Sequence, residues 1–366
     1  MAPASFEAVV VGGGVHGLAA AFHLQRLGVR RLLVLERFAL GHSRGSSHGR
    51  SRITRSAYRE PIYAELVRLA RAEEWPRLER AFGRPLVADR DGCFFGPRDG
   101  PIEAFAVPGV EPLDLDGARR RFPQIRFTES DRVLLDATAG VVAAAETVAG
   151  LARSIRAAGG EIRENAEVRS IDVSRDPVEI DVAGTRIEAE RAVVAAGPWT
   201  SRLLPWLRPR LTPLRQTVGY FEVEGAERFP TWAWYAADAF FYGLPDLPRP
   251  LLKAAPHVVS GSADDPEEIA EPSRERLGSV RAFLDERLVS PARLVEAETC
   301  FYTATANEDY VLDVHPDNPR VAIGAGFSGH GFKLAPLSGR ILAELALWGR
   351  TTVAPFERER ARFAAR

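Results

Sequence analysis

Residues 6–37, FEAVVVGGGVHGLAAAFHLQRLGVRRLLVLER, carry glycines at 12, 14 and 17 and an acid at Glu36. The order is strand, glycine-rich turn, helix, strand, acid. Gly12 permits a tight turn, Gly14 lets the backbone approach a pyrophosphate, and Gly17 lets helix and strand pack closely. The helix N-terminus then offers free N–H groups and a partial positive charge to phosphates. Glu36 lies 19 residues after Gly17, where it can bond a ribose 2′-OH and would repel a 2′-phosphate. A lone glycine pattern is weak. Set between two strands and closed by the acid, it points to a dinucleotide rather than to a ligand-free turn.

The motif does not separate NAD from FAD, but the segment after Glu36 does. A nicotinamide dehydrogenase would continue into another strand–helix unit. Here residues 38–61 read FALGHSRGSSHGRSRITRSAYREP, a polar Gly/Ser loop with Arg44, Arg50, Arg52 and Arg55. Such a loop can wrap a flavin and its diphosphate. The plainer reading is a solvated basic loop, and its place directly after the cofactor strand weighs against that.

The chain has only two cysteines, Cys93 and Cys300. A free cysteine is most often a small buried hydrophobe, and Cys93, in DGCFFG, keeps that reading. Cys300, in VEAETCFYTATANEDYVLDVHP, lies just ahead of a final glycine-rich segment. It could be core, or a sulfur attached to a cofactor. Two cysteines make no disulfide framework, which suits a reducing compartment. The seven histidines show no paired metal-ligand spacing.

These residues need a scaffold. A chain of 366 residues is too long for one simple core, so two domains are expected. The net charge of -1 provides no field for nucleic acid or an anionic membrane. No stretch approaches the ~20 apolar residues of a membrane span, and the N-terminus lacks a signal-peptide pattern, so a cytoplasmic protein is expected. Helices are expected over residues 62–82, 116–122 and 144–159, and short strands from 161 onward. The run ending Val193-Val194-Ala-Ala-Gly197-Pro-Trp199 reads as a buried strand returning to the cofactor sheet. Residues 210–304 read as a β-rich block. RVAIGAGFSGHGFKLAPLSGRILAELALWG, from Arg320, reads as a second return. The expected fold is α/β, in part α+β: a Rossmann-like FAD-binding domain from residues 1–82, 142–209 and 305–366. A β-rich substrate domain, residues 83–141 and 210–304, is inserted in it.

Taken in order, the glycine motif with Glu36, GSSHGRSRITRSAY, FFYGLP with LLKAAPH, ETCFYTAT and GAGFSGHGFKLAP resemble the monomeric sarcosine oxidase family, which includes N-methyltryptophan and pipecolate oxidases. The resemblance spans essentially the whole chain. It implies the fold of glycine and D-amino-acid oxidases and FAD joined through its 8α-methyl carbon to Cys300. A carboxylate clamp is implied at Arg55 and Lys333. Arg52 matches an arginine beside the flavin ring, with His48 in the same loop. Lys253 matches an oxygen-activating lysine, and His257 and Tyr242 match substrate-pocket residues. Further cofactor contacts are implied at Gly12, Gly14, Val15, His16, Gly17, Glu36, Arg37, Ser46, Val168, Gly197, Trp199, Gly326, Gly329, His330, Gly331, Phe332 and Lys333.

The implied reaction oxidises a secondary amino acid to its imine and reduces O2 to H2O2, in a monomer with no nucleic-acid or membrane partner. With sarcosine the products are glycine and formaldehyde. The alternatives are a flavin dehydrogenase feeding a carrier, and a flavin-bearing subunit of a larger oxidase. Where sarcosine oxidases carry a pocket methionine, this chain has Ala233, between Trp232 and Trp234. Either Ala233 leaves room for a bulkier N-substituent or a cyclic amino acid, or Trp234 refills the space.

Overall fold

A computed structural model describes residues 4–365. Two large sheets face a common cavity. The first is largely parallel. Its central strand, Ala4–Val11, pairs in parallel with Leu32–Leu35 on one side and Thr185–Val194 on the other. Glu161–Arg163 extends one edge, and Val178–Val182 and Val168–Asp172 the other. Asn318–Ala325 also runs parallel to Thr185–Val194 and turns back through Val311–His315. Leu32–Leu35 is buried at all four positions, as a parallel strand covered on both faces must be. Val10, Val34, Val193 and Ala322 pack on one face with the helices Val15–Arg26 and Ala335–Trp348. Val9, Leu33, Val194 and Ile323 form the core of the other.

The second sheet is mostly antiparallel. Its order is Arg293–Ala304, Thr212–Glu222, Leu252–Pro256, Phe240–Pro245, Thr231–Tyr235, Gly92–Pro97, Asp131–Asp136 and Val110–Leu113. Period-2 alternation gives each of its strands two faces. Cys93, Phe95, Trp232, Leu252 and Phe221 fill one apolar core beneath the helix Arg274–Arg287. Phe94, Ala233 and Tyr235 pack on the opposite face, with Tyr242 against them. Cys93 is fully buried, as expected for a core thiol.

Three elements differ from the sequence expectation. Residues 38–61 are not loop throughout: Ser51–Thr54 is a strand paired with Gly140–Ala143. The block 210–304 contains the 14-residue helix Arg274–Arg287, whose Ser273 caps it by accepting from the Arg276 N–H. Val280, Phe283 and Leu284 form its buried face, a 3–4 spacing already present in the sequence. The helix expected over 62–82 contains a wider π-type turn at Ala70–Glu74. Among the described residues no helix is long and apolar enough to cross a membrane.

Candidate active site

The parallel strands end at one rim, and the cavity opens there, as in other open α/β sheets. Gly12 follows Ala4–Val11 with φ +111°. A side chain there would meet the Ala195 carbonyl oxygen at 2.3 Å, so only glycine allows that turn. At Gly17 an added Cβ would lie 2.0 Å from the Gly12 carbonyl oxygen, which accounts for the third glycine by packing. The acid ending Leu32–Leu35 turns back on the loop: Glu36 accepts from the N–H groups of Gly13 (2.7 Å) and Phe38 (2.9 Å). Burial opposes its charge, but His42 and these N–H donors hold its carboxyl below the usual range.

The cavity, about 470 Å³, runs from Gly12, Gly14 and Glu36 past Arg52 and Cys300 to Arg55 and Lys333. Its far end is strongly cationic. Arg55 Cζ stands 4.4 Å and Lys333 Nζ 5.5 Å from the centre of the Tyr58 ring. Lys333 Nζ donates to Tyr58 Oη (3.1 Å) and to the His330 carbonyl (2.9 Å). Burial, then the Arg55 charge, pushes its ammonium well below the normal lysine range. Arg55 Nη2 donates to Tyr235 Oη at 3.3 Å, while its Nη1 is buried with no partner. A buried unpaired guanidinium nitrogen costs stability unless a ligand completes it. An anion between Arg55 and Lys333 would do so and would restore the charge of the lysine.

Tyr242 and His257 line the same end. Tyr242 Oη lies 3.4 Å from Tyr302 Oη, and His257 packs 4.6 Å from Phe240 and 3.5 Å from a Glu308 carboxylate oxygen. Burial lowers the His257 pKa, which favours a neutral imidazole. Ala233 pairs with Tyr242 across neighbouring strands on the cavity side of the sheet, and is itself fully buried. Trp232 and Trp234 point the other way, toward Phe283 at 5.6 and 5.3 Å. Trp234 therefore does not refill the space beside Ala233: alternation along Thr231–Tyr235 sends it to the opposite face. Phe94, Phe240 and Tyr242 border that space instead.

Between the two ends lie Arg52, Lys253, His48 and Cys300. Arg52 donates to the carbonyls of Ser51, Ser46 and His48 and stacks 5.4 Å over Phe332. Burial, then Arg52, brings Lys253 down to about 8. Both ring nitrogens of His48 are buried, Nε2 faces the Glu298 carboxylate at 3.9 Å, and burial brings the His48 pKa to about 4. The Cys300 thiol, pushed up by burial, feels the opposing pull of Arg52 and Lys253.

Residues 7–345 match the family described as DAO, FAD dependent oxidoreductase. The chain belongs to this FAD-dependent oxidoreductase family. It is 36% identical to the human peroxisomal sarcosine oxidase over 93% of this chain and 92% of that protein. It is 31% identical to the monomeric sarcosine oxidase of Bacillus sp. (strain B-0618), over 94% and 93%. The solved structure of NikD, an amino acid oxidase of nikkomycin biosynthesis, superposes with a TM-score of 0.86. The two share 25% identity over 99% of this chain and 97% of that one. The protein is an FAD-dependent amine oxidase acting on CH–NH bonds.

The residues present fit a flavin dinucleotide: a glycine turn with no room for a side chain at Gly12, and a continuous cavity leading from it past Arg52 and Cys300. Gly12, Gly14, Val15, His16, Glu36, Arg37, Ser46, Val168, Gly197, Trp199, Gly326, Gly329, Gly331 and Phe332 all line it. Gly17 does not, since it faces the Gly12 carbonyl. His330 reaches the cavity, but its ring is taken up by Tyr58, Tyr310 and the Glu308 carbonyl. Ser46 bonds the Phe301 carbonyl, and the His16 ring stacks on Phe327 at 3.5 Å. Sequence reasoning missed Tyr58, Tyr235, Phe94 and Phe240 as site residues, although Tyr58 ends GSSHGRSRITRSAY and Phe240 begins FFYGLP. It also missed a simple signal: Lys253 and Lys333 are the only lysines in the chain, and both stand at this cavity.

Proposed function

We propose that the oxidoreductase oxidises a small secondary amino acid, sarcosine or another N-alkyl or cyclic amino acid, whose carboxylate is held between Arg55 and Lys333. The unpartnered Arg55 Nη1 beside Lys333 carries this reading, because charge-assisted hydrogen bonds to a carboxylate satisfy both cations. The names of the sarcosine oxidase relatives support the N-methyl substrate class, and the small side chain of Ala233 in the pocket wall supports a larger member of it. Bound FAD supplies a two-electron acceptor, joined in this reading to Cys300 through its 8α-methyl carbon.

The protein's own groups orient the substrate. The clamp fixes the carboxylate, Tyr242 and His257 border the amine, and burial favours the neutral imidazole of His257 there. Among the described cavity-lining residues the acids are Glu36 and Glu167, at the dinucleotide end. No cavity-lining carboxylate therefore stands at the substrate end to take the carbon proton. Lys253 and Arg52 place positive charge where O2 gains electrons and becomes H2O2. In this reading residues 1–82, 142–209 and 305–366 hold FAD and residues 83–141 and 210–304 hold the substrate. We also propose a cytoplasmic monomer. The Bacillus relative is described as monomeric, and two free cysteines suit a reducing compartment.

A peroxide-coupled screen of sarcosine, N-methyl amino acids, proline and pipecolate tests the activity. Stoichiometric H2O2 with at least one of them is expected. Substrate turnover without peroxide or oxygen uptake would replace the oxidase by a dehydrogenase.

A further inference from the structure

Lys333 gains a counter-charge from a bound carboxylate, whereas Lys253 gains none and faces the Arg52 guanidinium. Both lysines are nearly fully buried, at 5% and 4% exposure. The charge that answers Lys253 comes from outside the cavity. On Arg293–Ala304, Glu298 is two residues before Cys300 and shares its face. Its strand neighbour Thr212–Glu222 pairs Tyr220 with Lys253 and Val218 with Glu298.

Glu298 Oε1 lies 3.8 Å from Lys253 Nζ and accepts the Tyr220 hydroxyl. Oε2 lies 3.9 Å from His48 Nε2. A Cβ built on Gly49 would stand 3.2 Å from Arg52 Nη1, 3.3 Å from Glu298 Oε1 and 3.5 Å from Lys253 Nζ. Three charges therefore converge on one backbone position. Behind them the Tyr220 ring lies 5.5 Å from Lys253 Nζ and 4.7 Å from Arg249 Cζ. Arg249 is itself paired with Asp246 and Glu296, so it leaves Glu298 to Lys253. The Glu298 side chain is 25% exposed, so the cluster reaches solvent through this carboxylate.

We propose that Glu298 is the positioning residue that keeps Lys253 an ammonium beside the flavin site, with the Tyr220 hydroxyl holding the carboxylate in place. Its consequence for catalysis rests on the proposed part of Lys253 in O2 reduction; the charge arrangement does not. Burial and then Arg52 depress Lys253, while Glu298, followed by Cys300 and Asp246, pulls it back up. Burial opposes the Glu298 charge in turn, but Lys253, Tyr220, His48 and Arg52 together hold its carboxyl below the usual range. Without Glu298, Lys253 would titrate lower still.

With two lysines in the chain, protein labelled with 13C-lysine shows two side-chain resonances, assigned with Lys333→Arg. The Lys253 resonance of the wild-type holoenzyme is expected to titrate near 8. Glu298→Gln should lower that midpoint by about one pH unit or more, Tyr220→Phe by less, and Glu298→Asp should recover part of the loss. The pH profile of flavin reoxidation should shift with it, while reduction by substrate keeps its profile. An unchanged Lys253 midpoint in Glu298→Gln overturns the proposal, whatever happens to turnover. If Glu298→Gln does not fold, an unchanged midpoint in both Tyr220→Phe and Glu298→Asp has the same force. A shifted midpoint with an unshifted reoxidation profile upholds the hold of Glu298 on Lys253 and removes Lys253 from O2 chemistry.

Discussion

Replacing Arg55 by Met removes the guanidinium while keeping an unbranched apolar stem against Tyr58, Phe94 and Phe105, which lie 4.4, 5.6 and 6.0 Å from Arg55 Cζ. In the wild-type enzyme Nη2 has Tyr235, at 3.3 Å, and Nη1 has nothing, so Nη1 is the donor a substrate carboxylate gains. A hydrogen bond to a charged group contributes roughly 1.5–3 kcal/mol. Lys333 stays in place and holds part of the carboxylate's charge, which keeps the loss within that range. At about 1.4 kcal/mol per tenfold, Arg55→Met should weaken carboxylate binding by roughly 10- to 150-fold. The assay is a titration with a short carboxylic acid lacking the amine, followed by the change in flavin absorbance, alongside kcat/KM for the best substrate. Arg55→Lys keeps the charge but not the planar fork and should fall between the two. An amine without a carboxylate should bind both proteins alike. The clamp is refuted if Arg55→Met changes carboxylate affinity less than about threefold, or if it weakens acid and carboxylate-free amine equally.

Acid precipitation of wild-type enzyme should leave a yellow pellet, and Cys300→Ala a colourless one; a colourless wild-type pellet ends the covalent assignment. Lys253→Met should slow flavin reoxidation far more than reduction in stopped-flow half-reactions. Because its pKa is lowered to about 8, the Lys253 ammonium is present below that pH and lost above it. Wild-type reoxidation should therefore decline as pH rises through about 8, and a pH-independent rate would exclude this role. Ala233→Met enlarges the pocket wall that Ala233 forms with Phe94, Phe240 and Tyr242. With overpacking costing roughly 1–3 kcal/mol, KM for cyclic or bulky N-alkyl substrates should rise about 5- to 150-fold while sarcosine is spared. Equal effects on both would place the substituent elsewhere.

Local patterns made much of this protein legible before folding. The cofactor turn is a run of adjacent residues whose backbone demands glycine, so Gly12, Gly14 and Glu36 could be read in place, and Gly17 could be read as a packing residue. The two strands returning to the parallel sheet, ending near Gly197 and Gly326, announced themselves as apolar runs closed by glycine. The helix Arg274–Arg287 was missed although its apolar spacing and Ser273 stand in the sequence, because it lies inside a block whose other segments alternate as strands.

What no local pattern could supply is which face a strand residue takes and what stands opposite it. Trp234 and Ala233 are neighbours in sequence, and only the pairing of Thr231–Tyr235 with Phe240–Pro245 and Gly92–Pro97 sends one to the core and the other to the cavity. The same holds for Glu298. Alone it is one acid in a glutamate-rich run, and the pairing of Tyr220 with Lys253 and of Val218 with Glu298 turns it toward a buried ammonium. The sequence by itself determined the dinucleotide turn, the inventory of cations and the single cysteine near the last cofactor segment, because these depend on residue type and short spacing. Tertiary structure alone decided that Arg55 and Lys333 share one tyrosine and that a carboxylate stands behind Lys253. Those relations join residues 278 positions apart for Arg55 and Lys333 and 45 apart for Lys253 and Glu298, through strand register and burial.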